Sequence, residues 1–218
     1  MTVTFAGARR SSRVRVTAFK EALKIPYFKL LGYRPHAVSA ETWDDEYRAG
    51  RWDYLGHLDQ LAGQLTVFGY CQHLAANSIL DVGCGAGRLA EKLKVLSYAS
   101  YLGVDISAQA ISNANQALGD ARTKFTVADA EKFVPGGLFD VIVFNQCLYY
   151  MPDPLGMVRR YGAFLQSSGR MIVSMSDSAR SRKVWSLLEN HVAIEDSITV
   201  VQAGGRTTTR LLRPTLPE

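Results

Sequence analysis

The stretch Ile79-Leu80-Asp81-Val82-Gly83-Cys84-Gly85-Ala86-Gly87-Arg88-Leu89 decides the fold. Its opening is a short apolar run carrying a single acid, and it reads as a buried strand. Three glycines follow and lead into a helical pattern that starts at Arg88. Glycine admits backbone conformations closed to other residues and lets a ligand approach the main chain closely. In an open α/β sheet, such a turn lies at the carboxyl end of its strand, where ligands bind.

The same alternation continues in both directions. Strands are expected at Ser78–Val82, Tyr101–Asp105, Lys124–Ala128, Val141–Asn145 and Met171–Met175. Helices are expected at 41–49, 53–76, Arg88–Leu96, Ala108–Leu118, near Leu155–Leu165 and at Arg180–His191. In the second helix, Leu55, Leu58, Leu61, Leu65 and Phe68 recur at near-helical spacing. The tail, Ser197–Val201 and Thr207–Leu212 around Gly204-Gly205, reads as a hairpin. Strands alternating with helices imply an α/β fold: a doubly wound, mostly parallel seven-stranded sheet with helices on both faces and a C-terminal antiparallel hairpin.

Two ligand classes compete for the glycine turn. A dinucleotide site uses GxGxxG, with pyrophosphate on the helix N-terminus. Here the third glycine, Gly87, comes one position early, and Arg88 stands where that fingerprint wants glycine. Asp81 would also repel a pyrophosphate. It suits a ligand with an ammonium and a sulfonium, which S-adenosylmethionine presents. Asp105 ends the next strand, where an acid accepts hydrogen bonds from ribose hydroxyls. Ile106 beside it offers a face to adenine, and Asp129, ending the third strand, offers an acceptor to the adenine amino group.

DVGCGAG at 81–87, GVDIS at 103–107, VADAEKF at 127–133 and FDVIVFNQCLYYMPDP at 139–154 resemble motifs I, post-I, II and IV of the class I (Rossmann-like) methyltransferases. The resemblance covers about residues 78–175. It implies S-adenosylmethionine as cofactor, with S-adenosylhomocysteine as its product. Asp81, Gly83, Cys84 and Gly85 would line the methionine end. Asp105 and Ile106 would hold the ribose and adenine, with Asp129 and Ala130 facing the adenine. Asn145 would sit beside the transferring methyl.

The acceptor side carries fewer signals. Many members of this family have a histidine near Tyr149 or Tyr150, where this chain has the two tyrosines. These either shape the pocket and orient a nucleophile, or simply pack the loop. His36 and His57 flank the aromatic segment 41–54, and either is a candidate to reach the acceptor. That segment resembles a WDxxY…G…W lid found before motif I in some small-molecule methyltransferases. In one reading Tyr47, Trp52 or Tyr54 closes over the methionine end; in the other these rings anchor a helix on the sheet.

A basic extension is expected over 1–40, followed by a catalytic domain over 41–218, with a helical lid at 41–76 and a cofactor-binding core at 78–175. The net charge is +5, yet residues 1–34 hold eight basic side chains and one acid, so the body is −2. The basic arm, with an amphipathic stretch at Val16–Leu31, would contact anionic lipid headgroups, touch RNA phosphates, or serve as a solvated or dimer-packing extension. Three scattered cysteines, Cys71, Cys84 and Cys147, form no CxxC pair, which argues against a disulfide framework or a zinc site and fits a reducing cytoplasm. No apolar run approaches the about 20 residues that span a bilayer. No [DNS]PP[YFW] motif and no Pro-Cys nucleophile occurs, so the expected acceptor is a small molecule or glycan rather than nucleic acid, in a monomer or homodimer. O-methylation in a bacterial glycan or secondary-metabolite pathway is the leading expectation. An NAD-type nucleotide-binding protein and a non-catalytic S-adenosylmethionine-binding protein are the alternatives.

Overall fold

The computed structural model describes residues 38–203 and 205–214. The amphipathic stretch at Val16–Leu31, His36 and most of the expected basic extension lie outside the described residues.

Helix α1 (Ala40–Arg48) is followed by a single 3-10 turn at Asp53–Gly56 and by helix α2 (Leu58–His73). The α/β body then runs β1 (Ser78–Val82), α3 (Arg88–Leu93), β2 (Ser100–Asp105), α4 (Ala108–Leu118), β3 (Thr123–Val127) and β4 (Phe139–Asn145). It ends with α5 (Pro154–Gly162), β5 (Leu165–Ser176), α6 (Ala179–Glu189), β6 (Val192–Gln202) and β7 (Gly205–Pro214). The seven strands form one sheet in the order β3-β2-β1-β4-β5-β7-β6. The first five in that order pair in parallel, and β7 pairs antiparallel with both β5 and β6. This is the expected doubly wound sheet with its terminal hairpin.

Both sheet faces are covered. Ile79, Tyr101, Val143 and Ile172 pack under Val67 and Cys71 of α2, Leu89 and Leu93 of α3, and Ile111 and Ala114 of α4. On the other face Leu80, Val82, Phe144 and Val173 meet Val158 and Tyr161 of α5 and Trp185 and Leu188 of α6. Burial on both faces explains why β4 is apolar almost throughout. The chain leaves β1 toward β2 and β3, then returns to the other side of β1 with β4. The strand order therefore reverses between β1 and β4, and a crevice opens there at the carboxyl ends.

Several boundaries differ from expectation. The helix expected over 53–76 is interrupted: His57 takes an extended backbone (φ −79°, ψ 158°) and caps α2. The leucine stripe read from its spacing is not its inner face. Leu58 is 83% exposed and Leu65 45% exposed, while Gly63, Val67, Tyr70 and Cys71 are buried. Periodicity identifies a helix, but contact with the sheet selects the face. The expected Arg88–Leu96 helix stops at Leu93. The third strand ends at Val127, so Asp129 stands in the loop beyond it. The helix near Leu155–Leu165 ends at Gly162, and β5 takes the following residues, with a register shift against β4 between Phe139 and Val141. Asp140 sits at the end of the sheet away from the crevice. Its carboxylate accepts from the Asn77 and Ser78 amides at 3.1 and 2.8 Å and from the Ser78 hydroxyl at 3.0 Å.

Candidate cofactor and acceptor site

The glycine turn holds three residues in the left-handed region, Gly83 (φ +72°), Gly85 (φ +54°) and Gly87 (φ +80°). A Cβ on Gly83 would lie 2.7 Å from the Cys147 Cβ, and one on Gly85 would land on the Tyr47 hydroxyl. Space and backbone both demand glycine at positions 83 and 85. The amides of Gly83 and Cys84 donate to the Val104 carbonyl at 2.8 and 3.1 Å, which ties the turn to β2. Asp105, at the tip of β2, accepts from the amides of Gly85 and Ser107, each at 2.9 Å. Burial raises its carboxyl above the usual range, and the backbone donors oppose that rise.

Asp81 lies beneath the turn and is 1% exposed. One carboxylate oxygen accepts from the Tyr101 hydroxyl at 2.6 Å, and the other, Oδ1, has no hydrogen-bond partner among the described residues. Burial pushes this carboxyl up to about 7. Cys71, Cys84 and Cys147 are buried free thiols around it. Burial raises all three, Cys71 to about 12, so they are packing groups rather than nucleophiles.

Ile106 follows Asp105 and is half-buried. Asp129 is held in its own loop: its carboxylate accepts from the Glu131 amide at 3.0 Å and pairs with Lys132 at 2.9 Å. That lysine hydrogen bond holds the Asp129 carboxyl below its ordinary value. Helix α5 fastens the loop from outside. The Tyr161 hydroxyl donates to the Ala130 carbonyl at 3.0 Å, and Arg160 donates to the carbonyls of Glu131 and Phe133. Asn145 is half-buried at the carboxyl end of β4, in register with Ser174 of β5.

Segment 40–56 packs over these strand ends. Asp44 of α1 accepts from the Ser107 hydroxyl at 2.6 Å and the Gln109 amide at 3.0 Å, and so fastens α1 to the N-terminus of α4. These bonds hold the Asp44 carboxyl low, as expected for an acid at a helix start. The Trp52 indole donates to Glu46 at 3.1 Å. Trp52 also lies 5.5, 6.2 and 6.0 Å from the rings of Trp43, Tyr47 and Tyr54. Trp43 meets Tyr150 edge-on at 5.2 Å, and Tyr150 lies 4.6 Å from Tyr149. Rings from two distant segments thus form one wall. His57 is exposed at the α2 cap, where its backbone amide donates to the Tyr54 carbonyl at 2.9 Å.

Asp81, Gly83, Cys84, Gly85 and Asp105 are therefore brought together within the turn. Tyr149, Tyr150 and Trp52 meet in the aromatic wall, and Asp129 and Ala130 occupy a separate loop. Sequence reasoning missed Tyr101 and Gln146, and it placed Trp43 and Asp44 in the WDxxY segment without finding their partners. Each acts through a partner far away in the chain, and no local spacing announces it. The donor set fits S-adenosylmethionine: a buried carboxylate with one unpaired oxygen and a second carboxylate at the tip of β2 border a turn of left-handed glycines. The carboxylate of Asp81 suits an ammonium or a sulfonium, and that of Asp105 suits ribose hydroxyls.

Comparison with known proteins agrees with this geometry. A family model described as a methyltransferase domain matches residues 49–202. The 27-O-demethylrifamycin SV methyltransferase of Amycolatopsis mediterranei is 31% identical over 59% of this chain and 47% of its own length. The ubiquinone biosynthesis O-methyltransferase of Sodalis glossinidius is 29% identical over 82% of this chain and 70% of its own. The chain thus spans about half the length of the first and rather more of the second. In fold it resembles the 1,6-didemethyltoxoflavin-N1-methyltransferase of Burkholderia thailandensis, solved with 1,6-didemethyltoxoflavin and S-adenosylhomocysteine. That likeness has a TM-score of 0.66 at 20% identity and covers 84% of this chain and 93% of the other. The matched region takes in the glycine turn, the strand-end acids and the loop after β4, and the chain belongs to the class I S-adenosylmethionine-dependent methyltransferase family.

Proposed function

We propose that the chain transfers a methyl group from S-adenosylmethionine to an oxygen of a small-molecule acceptor, a sugar or natural-product hydroxyl, in a bacterial glycan or secondary-metabolite pathway. The observation that carries this reading is the wall of Trp43, Tyr47, Trp52, Tyr54, Tyr149 and Tyr150 rings, which runs from the glycine turn to the loop after β4. Such a wall excludes water and seats a compact acceptor. The names of the two curated relatives favour oxygen as the methylated atom.

The cofactor supplies an already activated methyl on its sulfonium. The chain's residues bind and align. Asp81, Gly83, Cys84 and Gly85 hold the methionine end, and Asp105 with Ile106 takes the ribose. Asp129 and Ala130 face the adenine, with Lys132, 84% exposed, free to swing away from Asp129. Residues 41–76 act as the lid of a domain whose cofactor core is 78–175, with Tyr47 and Trp52 closing over the methionine end. Asn145 stands next to the methyl. Burial raises the Tyr149 hydroxyl well above its ordinary value, so it stays protonated and orients the acceptor rather than serving as a base. Alignment alone contributes about 7–11 kcal/mol in favourable intramolecular systems, which is compatible with a site built for positioning.

Calorimetric titration with S-adenosylmethionine, S-adenosylhomocysteine and NAD, on the wild type and Asp105→Ala, tests the reading. Binding of the first two ligands, lost in the variant, supports it. Binding of NAD alone overturns it.

A further inference from the structure

The residue after Asn145 carries a feature that the methyl-transfer reading does not use. Gln146 is a non-glycine residue in the left-handed region, at φ +59°. Such a backbone persists only where its surroundings hold it. Here the side-chain amide supplies the hold. Its Oε1 accepts from the Ser176 amide at 2.8 Å, the Ser176 hydroxyl at 2.7 Å and the Tyr149 hydroxyl at 3.3 Å. Its Nε2 donates to the Ser174 hydroxyl at 3.3 Å, and its own backbone amide donates to the Ser174 carbonyl at 2.8 Å. The fully buried Ser174 accepts in turn from Thr209 at 3.1 Å, and Thr209 meets Thr66 of α2 at 2.6 Å. One amide therefore joins the tips of β4 and β5 to a polar seam in the core. On its other side it reaches the phenol whose ring lies against Tyr150, which meets Trp43 of α1 edge-on.

We propose that Gln146 is a positioning residue for the acceptor wall: its side-chain amide fixes the Tyr149 phenol and, through the Tyr149–Tyr150 contact, sets the ring that receives Trp43 of the lid. The inference rests on the proposed methyl transfer for its purpose, but not for its test. Gln146→Gly relieves the left-handed backbone and removes the amide, so the fold survives while the hold on Tyr149 is lost. Gln146→Glu keeps an oxygen that accepts from Ser176 and Tyr149, while turning the donor to Ser174 into an acceptor and adding a charge.

The experiment places 3-fluorotyrosine at position 149 and reads its fluorine resonance in the full chain, with and without S-adenosylhomocysteine. The wild type gives one narrow line. Gln146→Gly broadens or splits it, and Gln146→Glu restores a single line. Affinity for S-adenosylhomocysteine, measured by calorimetry, stays within about a factor of two in both variants. A line in Gln146→Gly identical to wild type overturns the proposal, and so does a failure of Gln146→Glu to restore it. If the wild type does not bind S-adenosylhomocysteine, the methyl-transfer reading falls, while the fluorine line of the free protein still decides the role of Gln146.

Discussion

The two sides of the crevice are made by different means. The donor side is backbone: three left-handed glycines, amides turned to Val104 and Asp105, and carboxylates at successive strand ends, nearly all within residues 79–107. The proposed acceptor side is side chain against side chain, with rings from residues 43–54 meeting rings from 149–150. Main-chain geometry is stiff and local, so the donor side is set once the sheet forms. Ring contacts are individually weak and span the chain, so the acceptor side depends on the lid staying docked. Substitutions on the donor side should therefore act on binding and on pH dependence, and those on the acceptor side on docking.

The largest effect is expected at Asp81. Its folded-state carboxyl, at about 7, stands above the unfolded value of about 3.9. Between those values the folded chain keeps a proton that the unfolded chain has lost. Stability from this residue therefore falls as pH rises through the window and is level above it, by up to about 4 kcal/mol in total. Asp81→Asn removes that fall, so urea unfolding should show the variant gaining on the wild type from pH 4 to pH 7.5. A constant difference across that range would mean that Asp81 ionises freely and is not the buried acid of the donor side.

Asp105→Ala comes next, with a loss of S-adenosylhomocysteine affinity of about 100-fold, close to 2.8 kcal/mol, in calorimetry. A loss below tenfold would overturn the proposed contact of Asp105 with the ribose. Asp44→Ala then tests what docks the lid. Losing the bonds to Ser107 and Gln109 should lower stability by about 1–2 kcal/mol, the range of a helix cap, seen as a lower thermal midpoint. Smallest is Trp43→Leu, where losing the contacts to Tyr150 and Trp52 should cost about 0.5–1.5 kcal/mol in the same melt. If Trp43→Leu weakened cofactor binding as much as Asp105→Ala, the division between the two sides would fail.

That division also explains what could be read without coordinates. Gly83, Gly85 and Asp105 are legible because a strand-to-helix turn admits few residue types, and the demand is local. The mostly parallel sheet and its antiparallel end followed from strands alternating with helices and from the terminal hairpin, while the strand order did not. The break at His57 was not legible, because the 3-10 turn at Asp53–Gly56 keeps nearly the same apolar spacing as an α-helix. The inner face of α2 was misread for a related reason: leucine is tolerated on the surface, and Leu58 is exposed. The partnership of Asp44 with Ser107, and that of Tyr101 with Asp81, join separate segments and leave no trace in spacing. Gln146 is the hardest case, since glutamine gives no warning of a left-handed backbone.

Gly83 and Cys147 share one small volume: the Cys147 side chain fills the room that a Cβ at residue 83 would take, while its thiol donates to the Val82 carbonyl at 2.9 Å. The consequence is hereditary. Neither position can gain an atom unless the other gives one up, and the left-handed backbone at 83 closes one direction of that trade. Residue 147, in the loop after β4, is therefore held small by the glycine turn, and any lineage that reshapes the proposed acceptor pocket must do so around it.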